Sequence, residues 1–294
     1  MRCNRGSTAR SAGVARGARA PHVRCLPVAS VAPAAARSGA SKRATWSAEP
    51  ILVSGAGIAG LAVAVALSKI GLPVHVFEAG PGLRQEGAAI GLWANAWRAL
   101  EALGAADGLR AGHLPLSRWV GYWACVALTP PADAAGRQRA ALDVVRGWSW
   151  SMEEVIRRTP PEDIAWSRVS DRWTAGSFGR GCVTLAGDAA HPMTPNLGQG
   201  GCVALEDAVV LGQRLAALAA QRAPPSPSAL AACLRAFEAD RSARCLPLTV
   251  RSNLMGAALQ TPLQPVCAVR NAFVRTVFQP SHFLDHTTFD CGTL

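Results

Sequence analysis

Two glycine-bearing segments have residue types and spacings suited to binding a phosphate-containing cofactor. The first reads Ile-Leu-Val-Ser-Gly-Ala-Gly-Ile-Ala-Gly at 51–60, and the second runs from Val183 to Gly201 with a loop rich in Pro and Gly. Each pattern predicts a buried strand, a turn and then a helix. One Gly-x-Gly-x-x-Gly is a weak signal by itself. Two such units indicate sites for the two ends of one long cofactor.

The first segment predicts a dinucleotide-binding turn. The apolar run at 51–54 is typical of a central parallel strand buried on both faces, and a helix is predicted over 58–70. Gly55 permits a tight turn, Gly57 leaves room for a pyrophosphate, and Gly60 lets helix and strand pack closely. The helix N-terminus faces the phosphates. The residues predicted to bind the cofactor here are Gly55, Ala56, Gly57, Ile58, Ala59 and Gly60.

A carboxylate ends the second predicted strand, at 74–78. Glu78 lies 18 residues after Gly60, where it can accept hydrogen bonds from both hydroxyls of an adenosine ribose. The acid disfavours a 2′-phosphate, and therefore NADP, at this position. An incidental Glu in an ordinary α/β turn is the alternative interpretation.

The second segment predicts a site for the other end of the cofactor. A strand is predicted over 182–186, with Gly187 and Asp188 at its tip, where the Asp188 carboxylate can accept hydrogen bonds from the ribityl hydroxyls of a flavin. Backbone N–H groups of the following loop can approach the edge of a planar ring. The loop residues predicted to do so are Pro195, Gly198 and Gly200. Together the two segments predict FAD as the cofactor.

The helix after this loop, predicted over 201–220, has a one-sided apolar stripe. Its N-terminus would stabilise negative charge on the pyrimidine end of a reduced flavin. Glu206 and Asp207 are predicted to be surface acids that complement the helix dipole. His191 is predicted to be a structural member of the turn rather than a catalytic base, because no partner acid is evident near it in the sequence.

Charge is distributed unevenly along the chain. The net charge of +11 suggests nucleic-acid binding, but nine of the 30 Lys and Arg residues fall within 1–48, which contains no acid. The remainder carries 21 basic and 19 acidic side chains, a net charge of about +2, which argues against a nucleic-acid partner. Residues 1–46 are predicted to be a transit peptide for the chloroplast, with the mitochondrion as the alternative. A disordered basic tail or a misassigned start codon is the other interpretation.

Cysteine spacing and hydropathy argue against two further classes. The nine cysteines include no Cys-x-x-Cys pair, and His282 and His286 lack accompanying ligands. No metal site is therefore predicted. No apolar stretch is long enough to cross a membrane without charges. We expect a soluble protein with at most peripheral membrane contact.

These segments resemble those of the class A FAD-dependent monooxygenases, which include salicylate hydroxylase and zeaxanthin epoxidase. The glycine fingerprint with Glu78 is similar to the family's adenosine diphosphate site, and Gly187-Asp188 is similar to its second flavin signature. Residues 195–200 are similar to the family's loop at the isoalloxazine. The segment resembles plant and algal members of the family in particular. Arg84 lies where the family often keeps an arginine near the phosphates. The resemblance covers about 49–110 and 170–294, and none is found between them.

The resemblance implies an oxidoreductase that uses FAD, NAD(P)H as a transient reductant and O₂ to hydroxylate or epoxidise an apolar, aromatic or isoprenoid small molecule. The flavin supplies the oxygen chemistry, so no catalytic side chain is assigned. The family has a longer segment between its two flavin units, whereas about sixty residues stand here. A non-catalytic or truncated FAD-binding paralogue is therefore the alternative, and an NAD-linked dehydrogenase is the third interpretation.

The predicted fold class is α/β. We expect a three-layer, Rossmann-like FAD-binding domain built from two separated segments, with a reduced substrate domain and C-terminal helices. The expected regions are a transit peptide at 1–46, FAD segments at 47–110 and 173–245, a substrate-domain remnant at 111–172 and helices at 246–294. Prolines are expected to divide those helices, namely Pro247, Pro262, Pro265 and Pro280.

The remnant is predicted to contain a helix that starts at Ser151 with a capping box completed by Glu154. Its tryptophans are expected to pack in a core or to line an aromatic pocket. They are Trp119, Trp123, Trp148, Trp150, Trp166 and Trp173. Asp107 and Gly108 are predicted to lie at the end of a helix and not after a strand.

Overall fold

The computed structural model describes residues 24–25, 50–83, 90–112, 133–148, 151–221, 224–261, 263–276, 279 and 284–294. Arg84, Trp119, Trp123, Pro262 and Pro280 lie outside these residues. The strands are β1 (Arg24–Cys25), β2 (Ile51–Ser54) and β3 (Val74–Glu78). The helices are α1 (Ile58–Lys69), α2 (Ala94–Leu103), α3 (Ala106–Arg110), α4 (Ala134–Val145), α5 (Met152–Arg158), α6 (Gly200–Ala219), α7 (Pro227–Gln260) and α8 (Gln264–Thr276).

The sheet and its crossover helix follow the predicted strand–helix–strand order. β2 pairs in parallel with β3, with Ile51 opposite Val74, and α1 connects them. β1 pairs antiparallel with β3, with Arg24 opposite Glu78, so the strand order is β1-β3-β2. This strand lies within the predicted transit peptide and does not test that prediction.

The predicted burial of β2 on both faces is wrong for the described structure. Alternate side chains, those of Ile51 and Val53, pack against the core. Leu52 on the opposite face is 65% exposed. The reason is positional, because β2 lies at the edge of the described sheet and α1 covers only one of its faces.

The core joins the two predicted FAD segments. Small side chains let α1 and α6 approach closely: a Cβ placed on Gly212 would lie 3.2 Å from the Ala66 Cβ. Ala62, Ala66 and Leu67 of α1 are buried in the same cluster as Ala208 and Val209 of α6. Because the contact is between backbones as much as side chains, the two helices form one rigid support for the turns at their N-termini.

Helix α7 continues where the sequence predicted a break. Pro247 lies inside it, so the prediction that this proline divides the C-terminal helices is wrong. Proline removes one backbone donor, but its neighbours Cys245 and Leu248 are buried in a cluster with Leu197 and Val203. Tertiary packing therefore outweighs the local helix-breaking tendency. The domain boundary predicted at 245/246 falls within this helix, and Pro265 lies in the first turn of α8.

The middle segment forms a small helical hairpin of α4 and α5 with its own apolar cluster of Ala141, Val145 and Ile156. Helix α5 does start after Ser151, but that residue has φ 57° and makes no side-chain capping bond. Glu154 instead pairs with Arg158 at 2.5 Å. The predicted capping box is therefore wrong.

The described tryptophans of this region do not form a core. Trp148, Trp166 and Trp173 are exposed, whereas Trp119, Trp123 and Trp150 lie outside the described residues. Asp107 and Gly108 lie within α3, which follows α2 rather than a strand. Across the described ranges, no helix combines the length and apolar composition needed to span a bilayer.

Candidate cofactor site

The first half of the site is the turn between β2 and α1. Gly55 has φ 103°, a conformation that favours glycine, and its N–H donates to the Phe77 carbonyl at 2.7 Å. A Cβ on Gly60 would overlap the carbonyl oxygen of Gly55. Around Gly57, by contrast, no atom of the described residues lies within 4 Å of a built Cβ. Gly60 therefore serves helix–strand packing, and Gly57 borders open space that a phosphate group would fit.

Glu78 has a structural role that its spacing did not predict. Its Oε2 accepts a hydrogen bond from the Ala56 N–H at 2.8 Å, and its Oε1 accepts one from the Gly80 N–H at 2.8 Å. The carboxylate thus ties the end of β3 to the glycine turn. A carboxylate has about four acceptor positions, so these bonds are compatible with ribose hydroxyls as further donors.

The two halves of the site meet at Gly187. This residue is buried with φ 60°, and a Cβ placed on it would lie 2.7 Å from the Ala59 Cβ in the first turn of α1. Only glycine permits this approach. The second glycine segment therefore packs directly on the helix N-terminus of the first, as a shared cofactor requires.

The predicted strand at 182–186 is absent from the described structure. One isolated bridge joins Arg180 to Val183, and Val183 is 66% exposed. A strand requires a neighbour to pair with, and none of the described strands lies beside this segment. Side chains hold the backbone instead: Arg235 and Glu238 of α7 contact the Val183 carbonyl and the Thr184 hydroxyl, respectively.

The second half presents exposed residues along the start of α6. A short 3-10 turn at Pro195–Leu197 leads into Gly198, which has φ 62°, and α6 begins at Gly200. A Cβ on Gly200 would lie 3.7 Å from Asp188 Oδ1. Asp188, Pro195 and Gly198 are exposed. The structure therefore brings together the residues that the sequence assigned to the ribityl chain and the ring.

Two buried donors near this loop have no hydrogen-bond partner among the described residues. They are Trp93 Nε1 and Gln199 Nε2. A Cβ on Gly198 would lie 3.0 Å from the Trp93 nitrogen, and Gln199 is the N-cap of α6. Buried polar atoms are usually paired, so donors left unpaired here fit a site for a ligand that carries acceptors. The sequence analysis missed both residues.

A buried ionic cluster supports the Gly187 turn from below. Asp207 accepts hydrogen bonds from the Gly187 N–H at 2.7 Å, from His191 Nε2 at 2.7 Å and from Arg241 Nε at 2.6 Å. Glu206 accepts from Arg241, at 2.7 Å, and also from Arg244 and Asn95. The prediction of Glu206 and Asp207 as surface acids is therefore wrong. Both are fully buried because α7 brings two arginines against them.

Asp207 also provides the partner acid that the sequence did not reveal for His191. Burial alone would lower the pKa of His191, but the Asp207 carboxylate beside it raises that pKa to about 10. Burial would likewise raise the pKa of Asp207, whereas Arg241 and His191 hold it below its usual value. His191 is therefore a charged member of an ion pair at neutral pH, which agrees with a structural role.

The same cluster has the residue types of a metal site. Ligand atoms of His191, Asp207 and Cys245 lie within 4.8 Å of one another. The Arg241 guanidinium already occupies the position beside them, with its Nη2 3.6 Å from Cys245 Sγ. A positive charge held at this point opposes a cation, so the cluster is an ionic support rather than a metal centre.

Comparisons with known proteins agree with this geometry. Residues 113–245 match the family model described as FAD binding domain. Aurachin C monooxygenase/isomerase of Stigmatella aurantiaca is 34% identical over 170 residues, which are 57% of this chain and 42% of that protein. Chloroplastic zeaxanthin epoxidase of Nicotiana plumbaginifolia is 35% identical over 113 residues, which are 38% of this chain and 17% of that protein.

A solved structure shares the fold. Klebsiella pneumoniae HpxO complexed with FAD and uric acid has a TM-score of 0.64 at 17% identity, covering 81% of this chain and 95% of that chain. The family match begins at residue 113, so the prediction that the resemblance excludes the middle segment is wrong. The chain spans less than half the length of the curated relatives it matches first.

Two glycine turns meet on one helix N-terminus, in a fold that the chain shares with a solved FAD complex. In the FAD-binding-domain match and in these relatives, the chain is similar to FAD-dependent monooxygenases.

Proposed function

We propose that this chain is an FAD-dependent monooxygenase that uses NAD(P)H and O₂ to hydroxylate or epoxidise an apolar, aromatic or isoprenoid small molecule. The observation that carries the proposal is the close approach of Gly187, which directly precedes Asp188, to Ala59 in the first turn of α1. A three-layer, Rossmann-like FAD domain is part of the proposal, with the described sheet and α1 as its first two layers.

The described residues suit the successive parts of FAD. The turn at 55–60 would hold the pyrophosphate, since α1 offers backbone N–H groups and open space borders Gly57. Glu78 would accept from the adenosine ribose, and Asp188 would accept from the ribityl chain. Arg84 is proposed near the phosphates from the resemblance alone. Pro195, Gly198 and Gly200 would border the ring, with Trp93 and Gln199 as additional donors.

When bound, reduced flavin supplies the activation of O₂ and the transfer of one oxygen atom. The chain contributes orientation and electrostatics. The N-terminus of α6 directs its positive dipole end toward the loop at 195–200, where it favours negative charge on a ligand. The cluster of Asp207, His191 and Arg241 keeps the Gly187 turn in place. No side-chain nucleophile is required.

The relatives support the substrate class without specifying a molecule. One is named as an aurachin C monooxygenase/isomerase and another as a chloroplastic zeaxanthin epoxidase. A chloroplast address for residues 1–46 is proposed on their basic, Ser- and Ala-rich composition together with the second name, with the mitochondrion as the alternative.

Flavin spectroscopy of the purified chain tests the proposal. We expect a yellow protein with bound FAD. NADPH or NADH should bleach the visible absorbance of the flavin under anaerobic conditions, and O₂ should restore it. Asp188→Asn should weaken FAD retention, whereas Asp143→Asn, an exposed acid on α4, should not. A colourless protein that binds nicotinamide nucleotide would favour an NAD-linked dehydrogenase and contradict the proposal.

A non-catalytic FAD-binding paralogue is the second candidate. The observation that favours it is the short middle segment, since about sixty residues separate the two predicted FAD segments. This candidate predicts a flavin spectrum that neither NADH nor NADPH changes. The same titration therefore separates the two functions.

A further inference from the structure

The 3-10 turn at Pro195–Leu197 is hydrogen-bonded to the C-terminal part of α7 through the residue that precedes it. Ser252 Oγ donates to the Thr194 carbonyl oxygen at 2.6 Å and lies 2.8 Å from Thr194 Oγ1. A hydroxyl carries one hydrogen, and the carbonyl uses that of Ser252, so the Thr194 hydroxyl is the donor in the second bond. Ser252 is fully buried. These two bonds fix the position at which the chain enters the turn.

Asn196, inside the turn, completes the same network. Its Nδ2 donates to the Ser252 carbonyl oxygen at 2.9 Å and to Thr194 Oγ1 at 3.0 Å. An amide nitrogen carries two hydrogens, so both have an acceptor here. All the side-chain donor hydrogens of Thr194, Asn196 and Ser252 are therefore used. A polar network that is satisfied in this way favours a single arrangement of the turn.

Gly256 makes room for the Asn196 side chain. It lies four residues after Ser252 in α7, and a Cβ placed on it would be 2.3 Å from Asn196 Nδ2. Glycine is unfavourable in the interior of a helix, whereas alanine is the most favourable residue. Such a local conflict between residue type and fold is typical of functional sites. We call Thr194, Asn196, Ser252 and Gly256 the α7 latch.

The α7 latch acts on one half of the candidate site. The turn that it holds leads directly into Gly198 and the N-terminus of α6, which are assigned to the ring of the cofactor. Leu197, at the end of the turn, is buried in the same cluster as Leu248 of α7. The turn at 55–60 and Glu78 form the other half. A displaced 195–197 turn would therefore disturb the ring end of the cofactor and leave the adenosine end in place.

We propose that the residues of the α7 latch are positioning residues for the flavin ring. They act through the backbone of the 195–198 turn and need not touch the cofactor. Gly256 lowers the local stability of α7, and its role is to let Asn196 hold the turn in the arrangement that binds the ring. This inference rests on the proposed function, because that proposal assigns the ring end of FAD to this turn.

Gly256→Ala tests the inference in the full chain. The added methyl group displaces the Asn196 amide, whereas alanine favours the helix, so the unfolding temperature should stay close to that of the wild type or rise. We expect the dissociation constant for FAD to increase about tenfold. The dissociation constant for ADP, which lacks the ring, should not change. Gly108→Ala in α3 is the matched control, since a Cβ there has no described atom within 4 Å, and both constants should stay the same.

Two further variants test the network itself. Ser252→Ala removes the donor to the Thr194 carbonyl, so it should also weaken FAD binding, leave ADP binding unchanged and alter the visible spectrum of the bound flavin. Ser228→Ala, an exposed serine at the other end of α7, is its control. Asn196→Ala added to Gly256→Ala should cause no further loss, because the two substitutions remove the same contact.

The outcomes separate this inference from the proposed function. If the wild type binds FAD and the Gly256→Ala and Ser252→Ala proteins bind it equally tightly, the inference is overturned and the proposed function stands. If both variants lose FAD and ADP affinity together and unfold at lower temperature, the α7 latch supports only the fold, which also overturns the inference. A wild-type chain that binds neither FAD nor ADP contradicts the proposed function and this inference with it.

Discussion

The two halves of the candidate site are held together by different kinds of contact. In the first half, Glu78 binds the backbone of Ala56, and Gly60 packs on Gly55, so every contact joins neighbouring elements of one β–α–β unit. In the second half, Asp207 of α6 holds Gly187, and Arg241 of α7 in turn holds Asp207. The first turn is therefore defined by local backbone geometry, and the second depends on buried charges from distant parts of the chain.

The largest expected effect comes from Asp207→Asn, which breaks the charged support of the second half. The change leaves Arg241 and protonated His191 buried without their shared carboxylate, and losing one member of such a cluster costs about 3–5 kcal/mol. We expect the free energy of unfolding, measured by urea denaturation, to fall by that amount. FAD retention should fall as well, because the single amide oxygen cannot accept from Gly187, His191 and Arg241 together.

The control for this change is Asp240→Asn on the neighbouring helix. Asp240 pairs with Arg214, but both side chains are more than 40% exposed. Exposed pairs contribute about 1 kcal/mol or less. Equal destabilisation by the two substitutions would mean that the buried cluster is not the support of the second half.

This contrast explains which features the sequence could predict. The bounds of β3 and the positions of α1 and α6 follow from apolar patterns and glycines that act within a few residues, and those predictions are confirmed. The burial of Glu206 and Asp207 depends on arginines in α7. No pattern within α6 reveals those arginines. Glu206 and Asp207 therefore looked like solvent-exposed acids in the second turn of a helix.

The same reasoning accounts for the strand predicted at 182–186. An apolar run shows that a segment is suited to a sheet, but not whether a neighbouring strand exists to pair with it. Conversely, Pro247 is a local helix-breaking signal that the packing of Cys245 and Leu248 overrides. One signal in the sequence could have suggested a partner for His191. Asp207 is an acid in α6, the helix that follows the turn containing His191.

The next largest effect tests the local geometry of the first half. Gly60→Ala places a methyl group on the Gly55 carbonyl, and overpacking of this kind costs about 1–3 kcal/mol. Gly57→Ala is the matched control, because its methyl group would enter open space. We expect it to change the unfolding free energy by less than about 0.5 kcal/mol. It should nevertheless weaken FAD binding roughly tenfold, measured by fluorescence titration. If both variants are equally stable, steric packing does not define this turn.

A pH titration sharpens the comparison, because among the described residues of the two halves a buried titrating pair lies only in the second. The pKa of His191 rises from 6.5 to about 10 on folding, so its stabilisation is fully present below about pH 6.5 and is lost as pH rises toward 10. Between pH 7 and pH 9 we expect the unfolding free energy to fall by about 2–3 kcal/mol. His191→Gln should flatten this dependence, whereas His75→Gln, an exposed residue of β3, should not. A slope unaffected by His191→Gln would contradict the ion pair.

The smallest expected effect separates binding from support within the second half. Asp188 is exposed beside Gly200, whereas Asp207 is buried beneath the same turn. Asp188→Asn should therefore leave the unfolding free energy within about 0.5 kcal/mol of the wild type. Its FAD affinity should fall by about three- to tenfold, because a neutral amide is a weaker acceptor for ribityl hydroxyls. If this variant binds FAD normally while Asp207→Asn does not, the second turn supports the cofactor through its backbone, and the carboxylate assigned to the ribityl chain has no part in binding.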